Sequence, residues 1–101
     1  MSKKVQESDE NIGILICGTG IGMSIVANKF KGIRCALCYN TEMAKLSRMH
    51  NDSNVLALGA NNTTTDENIK IVDTWLNTIF EGGRHEDRLN LIKNIEQKNL
   101  K

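Results

Sequence analysis

The stretch that decides the fold is Ile12-Gly-Ile-Leu-Ile-Cys17, which runs directly into the glycine-rich turn Gly18-Thr-Gly-Ile-Gly22. A short apolar run rich in β-branched residues is typical of a strand that is covered on both faces. Residues 23–30, after the turn, carry apolar side chains at helical spacing, and Gly32 stands where such a helix would end. The pattern therefore predicts a strand, a glycine loop and a helix.

Strands and helices alternate along the rest of the chain. Residues 33–38 and 54–58 are two further apolar runs, and each is followed by a helical pattern. The first of these helices extends from a cap at Thr41 to about Met49, and the second is capped by Thr65 or Asp66. We expect one stripe of the second helix to face the core, made of Ile69, Val72, Leu76 and Ile79 and widened by Trp75 and Phe80. After Gly82-Gly83, a last amphipathic segment over residues 85–97 presents Leu89, Ile92 and Ile95.

This alternation indicates the fold class. Strands that alternate with helices predict a parallel sheet with helices on both faces. We therefore expect an α/β fold, a Rossmann-like three-layer αβα sandwich, as a single domain over residues 1–101 with about three strands. Three strands make a narrow sheet with two exposed edges, and residues 3–8 look like the end of a helix. We expect the chain to begin midway through a larger α/β pattern.

Composition limits the function classes. The chain has 101 residues, 40% of them apolar and 4% aromatic, and a formal net charge of +1. That charge argues against nucleic acid and against an anionic membrane as partners. No apolar run approaches the roughly 20 residues of a membrane span, and the start has no signal-peptide core, so we expect a cytoplasmic protein. A chain this short buries a modest fraction of its surface, which favours assembly into an oligomer.

The glycine loop is a candidate anion site. A turn between a parallel strand and a helix start directs several backbone N–H groups at one point, which suits phosphate or an oxyanion. Its Gly-x-Gly-x-Gly spacing lacks the third glycine of the dinucleotide fingerprint and the Gly-Lys-Ser/Thr ending of a nucleotide P-loop. The spacing alone leaves open a second interpretation, a tight connection that uses glycine only for its conformation and close packing.

Cysteine chemistry gives a second candidate. Cys17 lies at the carboxyl end of a strand and just before a helix, where ligands bind in open α/β sheets, so it is a candidate base or nucleophile. The alternative is a small apolar core residue. Cys35 and Cys38 are three apart on a predicted strand and should point to opposite faces, which argues against a redox pair and against zinc.

Two further motifs carry titratable or cationic groups. His50-Asn51-Asp52 precedes the third strand, where an imidazole can act as acid or base near pH 7. Arg84 and Arg88 are four apart and share one face of the last helix, where two guanidinium groups can grip a phosphate. The alternatives are a capping histidine and a solvated helix face.

Together these motifs resemble the family of ribose-5-phosphate isomerase B and the galactose-6-phosphate isomerase subunits. The segments that carry the resemblance are 13–29, 32–34, 46–48, 50–52, 54–59, 72–76 and 80–85. The resemblance implies an aldose-ketose isomerase of the pentose phosphate pathway that interconverts ribose 5-phosphate and ribulose 5-phosphate through a cis-enediolate. It also implies a homodimer or homotetramer whose sites are shared between subunits. No metal and no nucleotide cofactor is implied.

The resemblance assigns roles residue by residue. Cys17 matches the base that moves a proton between C1 and C2, and Thr19 matches the hydroxyl that assists it. His50 matches the acid/base that opens the sugar ring. The matching substrate contacts are the loop residues Gly18, Gly20, Ile21 and Gly22, which hold the enediolate, together with Asn51 beside His50 and the phosphate ligands Arg84 and Arg88. Met23 stands where some relatives place a glutamate, which implies the cysteine-using branch.

Two departures from the family pattern support a second hypothesis. The opening Asp-His-Ala-Gly motif and the first β-α-β portion of the family are absent from this sequence, and Asn61 stands where relatives place an arginine. The alternative to an active isomerase is therefore a catalytically inactive homologue that binds sugar phosphate or pairs with a full-length subunit.

Overall fold

A computed structural model describes residues 1–100 of the chain. Its elements are α1 (Ser2–Gln6), β1 (Gly13–Cys17), α2 (Ile21–Ala27), β2 (Cys35–Leu37), α3 (Thr41–Asn51), β3 (Val55–Gly59), α4 (Thr65–Leu76) and α5 (Arg84–Asn99). The three strands form one parallel sheet in the order β1, β3, β2. The prediction of an α/β fold built on a narrow parallel sheet is confirmed.

Helices cover both faces of the sheet, and β3 shows why. All five residues of β3 are buried, and alternate side chains of a strand point to opposite faces. Val55 packs with Val5 of α1 and Ala27 of α2 in one core. Leu56 and Leu58 belong to a second core with Ala44 of α3 and with Ile71 and Trp75 of α4. The molecule therefore has three layers, with α1 and α2 on one side and α3 and α4 on the other.

Both predicted helix caps are wrong by one or two residues. The side chain of Asn40 accepts a hydrogen bond from the Met43 N–H at 2.8 Å, and the Thr64 hydroxyl accepts one from the Glu67 N–H at 3.1 Å. Thr41, Thr65 and Asp66, the predicted caps, lie inside the first turns. A cap needs extended backbone so that its side chain can reach back to the third helical amide, and Asn40 and Thr64 have that backbone.

The predicted core face of α4 is confirmed for Trp75 and Val72 but wrong for its other stripe positions. Ile71 and Trp75 are buried, whereas Ile69, Leu76 and Ile79 are 62%, 52% and 82% exposed. Both sets satisfy a helical spacing, so the sequence offers two overlapping stripes. Packing selects the one with Trp75, whose indole N–H also donates to the buried Ser53 hydroxyl at 2.8 Å. Val72 contacts the same core from its edge, and Ile79 lies beyond the end of the helix.

Two elements are shorter than predicted. β2 covers Cys35–Leu37 because the Arg34 N–H donates to the Asn54 side chain rather than to a neighbouring strand. α2 ends at Ala27, and turns lead from it to Gly32, which has a φ of +81°. The predicted break at Gly82-Gly83 is confirmed, since both residues have positive φ.

The exposed parts of the molecule matter for assembly. β1 is an edge strand, and its Ile16 side chain is 60% exposed beside the exposed face of α4. In α5, Leu89 is buried as predicted, but Ile92 and Ile95 are 38% and 60% exposed.

None of the helices within residues 1–100 combines the length and apolar character that crossing a membrane requires.

Candidate active site

The predicted site residues lie in two groups at opposite ends of the sheet. Cys17 pairs with Gly59 at the carboxyl end of the strands, and Gly13 pairs with Val55 at the amino end. Residues 17–22, which we call the glycine-loop group, follow the carboxyl end of β1. His50 and Asn51 end α3 just before β3 begins. With a rise of about 3.3 Å per residue, the two ends of the strands are roughly 13 Å apart.

The Cys17 sulfur is held against the main chain of the loop. The Gly20 N–H donates a hydrogen bond to the Cys17 Sγ at 3.2 Å, and the Cys17 side chain is half-buried. The neighbouring Thr19 hydroxyl accepts from the Ile21 N–H at 3.2 Å, and Thr19 itself is exposed. The thiol and the hydroxyl therefore share one partly open turn that is rich in backbone amides.

Glycine is required at the centre of this turn. Gly20 has a φ of +81°, and a Cβ there would lie 2.5 Å from Leu37 Cδ1 and 3.0 Å from the Leu58 carbonyl oxygen. A Cβ on Gly59 would likewise lie 2.7 Å from the Thr19 carbonyl oxygen. These glycines therefore do serve the backbone conformation and close packing of the turn. That role does not exclude an anion site formed by the backbone amides of the same loop.

Two residues that the sequence analysis did not assign to the site hold the loop from the neighbouring strands, one through its side chain and one through its backbone. The Tyr39 hydroxyl, after β2, donates to the Thr19 carbonyl at 2.7 Å. The Asn61 N–H, after β3, donates to the Gly18 carbonyl at 2.8 Å. Residues that follow adjacent parallel strands converge at the carboxyl end of the sheet. The strand order would therefore have pointed to Tyr39 and Asn61, whereas their spacing in the sequence does not.

The second group, which we call the histidine group, consists of His50, Asn51, Glu81, Arg84, His85 and Arg88. The His50 and His85 rings stack with centroids 4.1 Å apart and planes 14° from parallel. The His85 Nε2 lies 3.7 Å from Glu81 Oε2, and the Glu81 N–H donates to the Met49 carbonyl at 3.0 Å. The sequence analysis assigned no role to Glu81 or His85, because the turn at Gly82-Gly83 that brings their side chains together cannot be read from their spacing.

His85 is kept in its neutral form by its surroundings. Its side chain is buried, and this desolvation lowers the pKa of the imidazole, an effect reinforced by His50, Arg84 and Arg88 and opposed by Glu81. Arg84 and Arg88 themselves are exposed on the first turns of α5. Their guanidinium groups are thus free to meet an anion approaching from solvent.

A polar network fixes the turn that carries His50. Asp52 adopts a left-handed conformation with a φ of 46° and closes α3. Its carboxylate lies 3.5 Å from the Arg34 guanidinium and 3.4 Å from that of Arg48. Arg48 also donates to the Ser53 carbonyl and lies over the Trp75 ring. Arg34 and Arg48 therefore have structural partners within the protein. Among residues 1–100, Arg84 and Arg88 form no such ion pair.

Cys35 and Cys38 belong to the cores on opposite faces of the sheet. Cys35 packs in the core beside α2, whereas Cys38 is buried in the core beside α3 and α4, so the predicted divergence of the pair is confirmed. Burial, with a smaller contribution from Cys38, raises the pKa of Cys35 to about 11. Burial also raises the pKa of Cys38, against a hydrogen bond with Ser47. Both therefore remain thiols near neutral pH.

The layers, the parallel sheet and the glycine loop at its carboxyl edge define a Rossmann-like α/β protein. Residues 1–92 match the model of the family described as Ribose/Galactose Isomerase. The chain belongs to this family.

Its relatives include ribose-5-phosphate isomerase B of Escherichia coli (strain K12), which is 54% identical over 86 residues that make up 85% of this chain and 58% of the relative. The solved structure of ribose-5-phosphate isomerase B from Clostridium thermocellum is 50% identical, with a TM-score of 0.93 over 96% of this chain and 66% of that one. The structure of ribose-5-phosphate isomerase B from Mycoplasma genitalium with bound ribulose-5-phosphate is 46% identical, with a TM-score of 0.94 over 97% and 65% of the two chains. The chain thus spans roughly three-fifths to two-thirds of each of these relatives.

Proposed function

We propose that this protein is a sugar-phosphate isomerase that interconverts ribose 5-phosphate and ribulose 5-phosphate. The observation that carries the proposal is the Cys17 sulfur within 3.2 Å of the Gly20 amide, in a half-open glycine turn at the carboxyl edge of the sheet. The named activity of the Escherichia coli relative and the ribulose-5-phosphate bound to the Mycoplasma genitalium relative support the choice of sugar.

Cys17 is the proposed proton carrier. Its thiolate takes the proton from C2 of the opened aldose, and the electron pair moves into the C1–C2 bond to give a cis-enediolate. The resulting thiol returns the proton to C1, so that the ketose forms and the thiolate is regenerated. The loop amides of Gly18, Gly20, Ile21 and Gly22 stabilise the enediolate oxygens, and Thr19 assists the transfer of protons between them. A reduced thiol is required, which favours the cytoplasm as the compartment.

His50 and the two helix arginines complete the proposed site from a second copy of the chain. His50 opens the sugar ring by moving a proton between the ring oxygen and the anomeric hydroxyl, Asn51 contacts the substrate, and Arg84 and Arg88 bind the phosphate. Within one chain these residues lie at the amino ends of the strands, whereas Cys17 lies at the carboxyl ends. A homodimer, or a homotetramer built from such dimers, places the histidine group of one subunit against the glycine-loop group of the other.

A second candidate function is favoured by the surface around β1, the edge strand of the sheet. The chain spans 58% of the Escherichia coli protein. In this alternative it binds sugar phosphate without turnover, or pairs with a full-length isomerase subunit. The unpaired edge of β1 and the exposed Ile16 beside it offer a surface for such pairing.

The test is an assay of ribulose 5-phosphate formation by the intact chain and by Cys17→Ala. We expect turnover by the intact protein and a loss of at least about 100-fold in kcat for the variant, because general acid–base catalysis contributes that much. Cys35→Ala is the matched control, since Cys35 is a core thiol, and its activity should stay within a few-fold of the parent.

Two outcomes contradict catalysis through Cys17. One is equal turnover by the intact chain and Cys17→Ala, and the other is no turnover by the intact chain. In the second case, calorimetry with ribose 5-phosphate and mixing with the full-length Escherichia coli relative test the alternative. Binding or co-assembly without turnover then supports the inactive homologue.

A further inference from the structure

The side chains of His50, Glu81 and His85 form a compact set of metal-binding donors at the amino edge of the sheet. One ligand atom from each lies within 4.8 Å of the other two. The His85 Nε2 and Glu81 Oε2 atoms are 3.7 Å apart. Ligands of a tetrahedral zinc ion are about 3.4 Å from one another, given bond lengths near 2.1 Å. The His85–Glu81 pair is therefore close to the spacing that one ion would impose, and the His50 donor reaches it after a small side-chain movement.

The protein holds two of these donors in place through contacts of its own. His85 is fixed by burial at the start of α5. The hydrogen bond from the Glu81 N–H to the Met49 carbonyl brings the carboxylate beside the last turn of α3, which carries His50. The His50 ring stacks face to face on that of His85, so the half-buried His50 ring must turn before the in-plane nitrogens of both rings can point at one ion. Because Glu81 and His85 are positioned in advance, they lose less conformational entropy when an ion binds.

The charges around the cluster act on a cation in opposite senses. Glu81 supplies a negative charge within the donor set, which attracts a cation. Arg84 and Arg88 lie on the first turns of α5 with His85 and repel it, which limits the affinity for the ion.

We propose that His50, Glu81 and His85 form a binding site for a divalent transition metal ion of the zinc class, with a fourth coordination position open to solvent. Two imidazole nitrogens and one carboxylate oxygen are a known zinc donor set. Imidazole donors also select against magnesium and calcium, which prefer oxygen ligands. A bound ion occupies a ring nitrogen of His50 and so inhibits ring opening; this consequence, unlike the binding itself, rests on the proposed function.

The test is a competition titration of the full chain with Zn²⁺ against a chromogenic chelator, which requires no isomerase activity. We expect one zinc ion per chain. Glu81→Gln and His85→Gln should each weaken binding by at least the roughly 10–100-fold that loss of an outer-shell partner costs. Glu81 is 46% exposed, so its variant keeps the test valid if the buried His85→Gln fails to fold. Cys17→Ala and Cys35→Ala are the controls, because thiolates are the competing donors, and they should bind zinc like the parent.

Two further measurements distinguish zinc binding by the histidines and Glu81 from zinc binding by cysteine thiolates and from an indirect effect of the substitutions on folding. The Co²⁺ complex should show visible d–d bands without the near-ultraviolet charge-transfer band that thiolate ligation produces. Arg88→Gln should bind zinc more tightly than the parent, because it removes a repelling charge. Unchanged zinc affinity in Glu81→Gln and His85→Gln, or loss of the ion in Cys17→Ala, would overturn the proposal.

Discussion

Gly20 is the residue whose identity is most tightly fixed by its surroundings. It combines a φ of +81° with contacts to Leu37 and Leu58 that leave no space for a Cβ. We expect Gly20→Ala to lower the free energy of unfolding by about 2 kcal/mol or more, through left-handed strain and steric overlap. Gly22→Ala is the matched control, since a Cβ there meets nothing within 4 Å and the residue lies in α2.

Urea denaturation of the two glycine variants checks this prediction. Gly22→Ala should be neutral or more stable than the parent by up to about 1 kcal/mol, because alanine favours the helix. Equal midpoints for Gly20→Ala and Gly22→Ala would show that the loop relaxes around a side chain.

Cys35 makes stability depend on pH in the alkaline range. Burial first, and Cys38 second, raise its pKa to about 11 from the ordinary value of 9.0, so the unfolded chain releases this proton at a lower pH than the folded one. Folding stability should therefore fall as pH rises from 9 towards 11. Cys35→Ala should show a shallower fall in urea midpoints over this range. Parallel curves for the two proteins would contradict the assignment.

At the scale of elements, α4 shows how packing chooses between two helical stripes. Ile71 is fully buried in the core with Trp75, whereas Ile69, two positions earlier, is 62% exposed. We expect Ile71→Ala to cost about 2–5 kcal/mol of unfolding free energy. Ile69→Ala should stay within about 0.5 kcal/mol, as surface substitutions do. Thermal or urea unfolding of this pair measures the difference, and a larger loss for Ile69→Ala would restore the stripe predicted from the sequence.

At the scale of the whole molecule, the glycine-loop group and the histidine group lie at opposite ends of the strands, and the proposed site shared between subunits can be tested through that separation. A chain with Cys17→Ala retains an intact histidine group, and a chain with His50→Gln retains an intact glycine-loop group. If a site is shared between two subunits, mixing the two inactive variants forms mixed dimers with one complete site. Random exchange should then restore about one quarter of the parent activity per chain.

The mixing experiment needs a step that lets subunits exchange, such as dilution from mild denaturant. The two variants refolded separately are the control and should remain inactive. Failure of the mixture to regain activity, with mixed dimers detected by mass spectrometry, would contradict the shared site.

The sequence by itself determined the alternation of strands and helices, the glycine loop after β1 and the divergence of Cys35 from Cys38. These features depend on local periodicity and on backbone freedom, which neighbouring residues in the chain encode. It also carried the motifs that indicate the family. Helix caps were missed by one or two residues because several adjacent side chains can cap, and only the backbone conformation at Asn40 and Thr64 distinguishes them.

Only the tertiary structure decided which stripe of α4 is buried, which side chains hold the glycine loop and how far Cys17 lies from His50. Each of these depends on strand order and on contacts between residues distant in sequence, such as Tyr39 with Thr19 and Trp75 with Ser53. The stacked His50 and His85 come from separate helices, α3 and α5, so their meeting was not visible in the spacing of either. Local patterns specify elements, and long-range packing specifies which of their side chains meet.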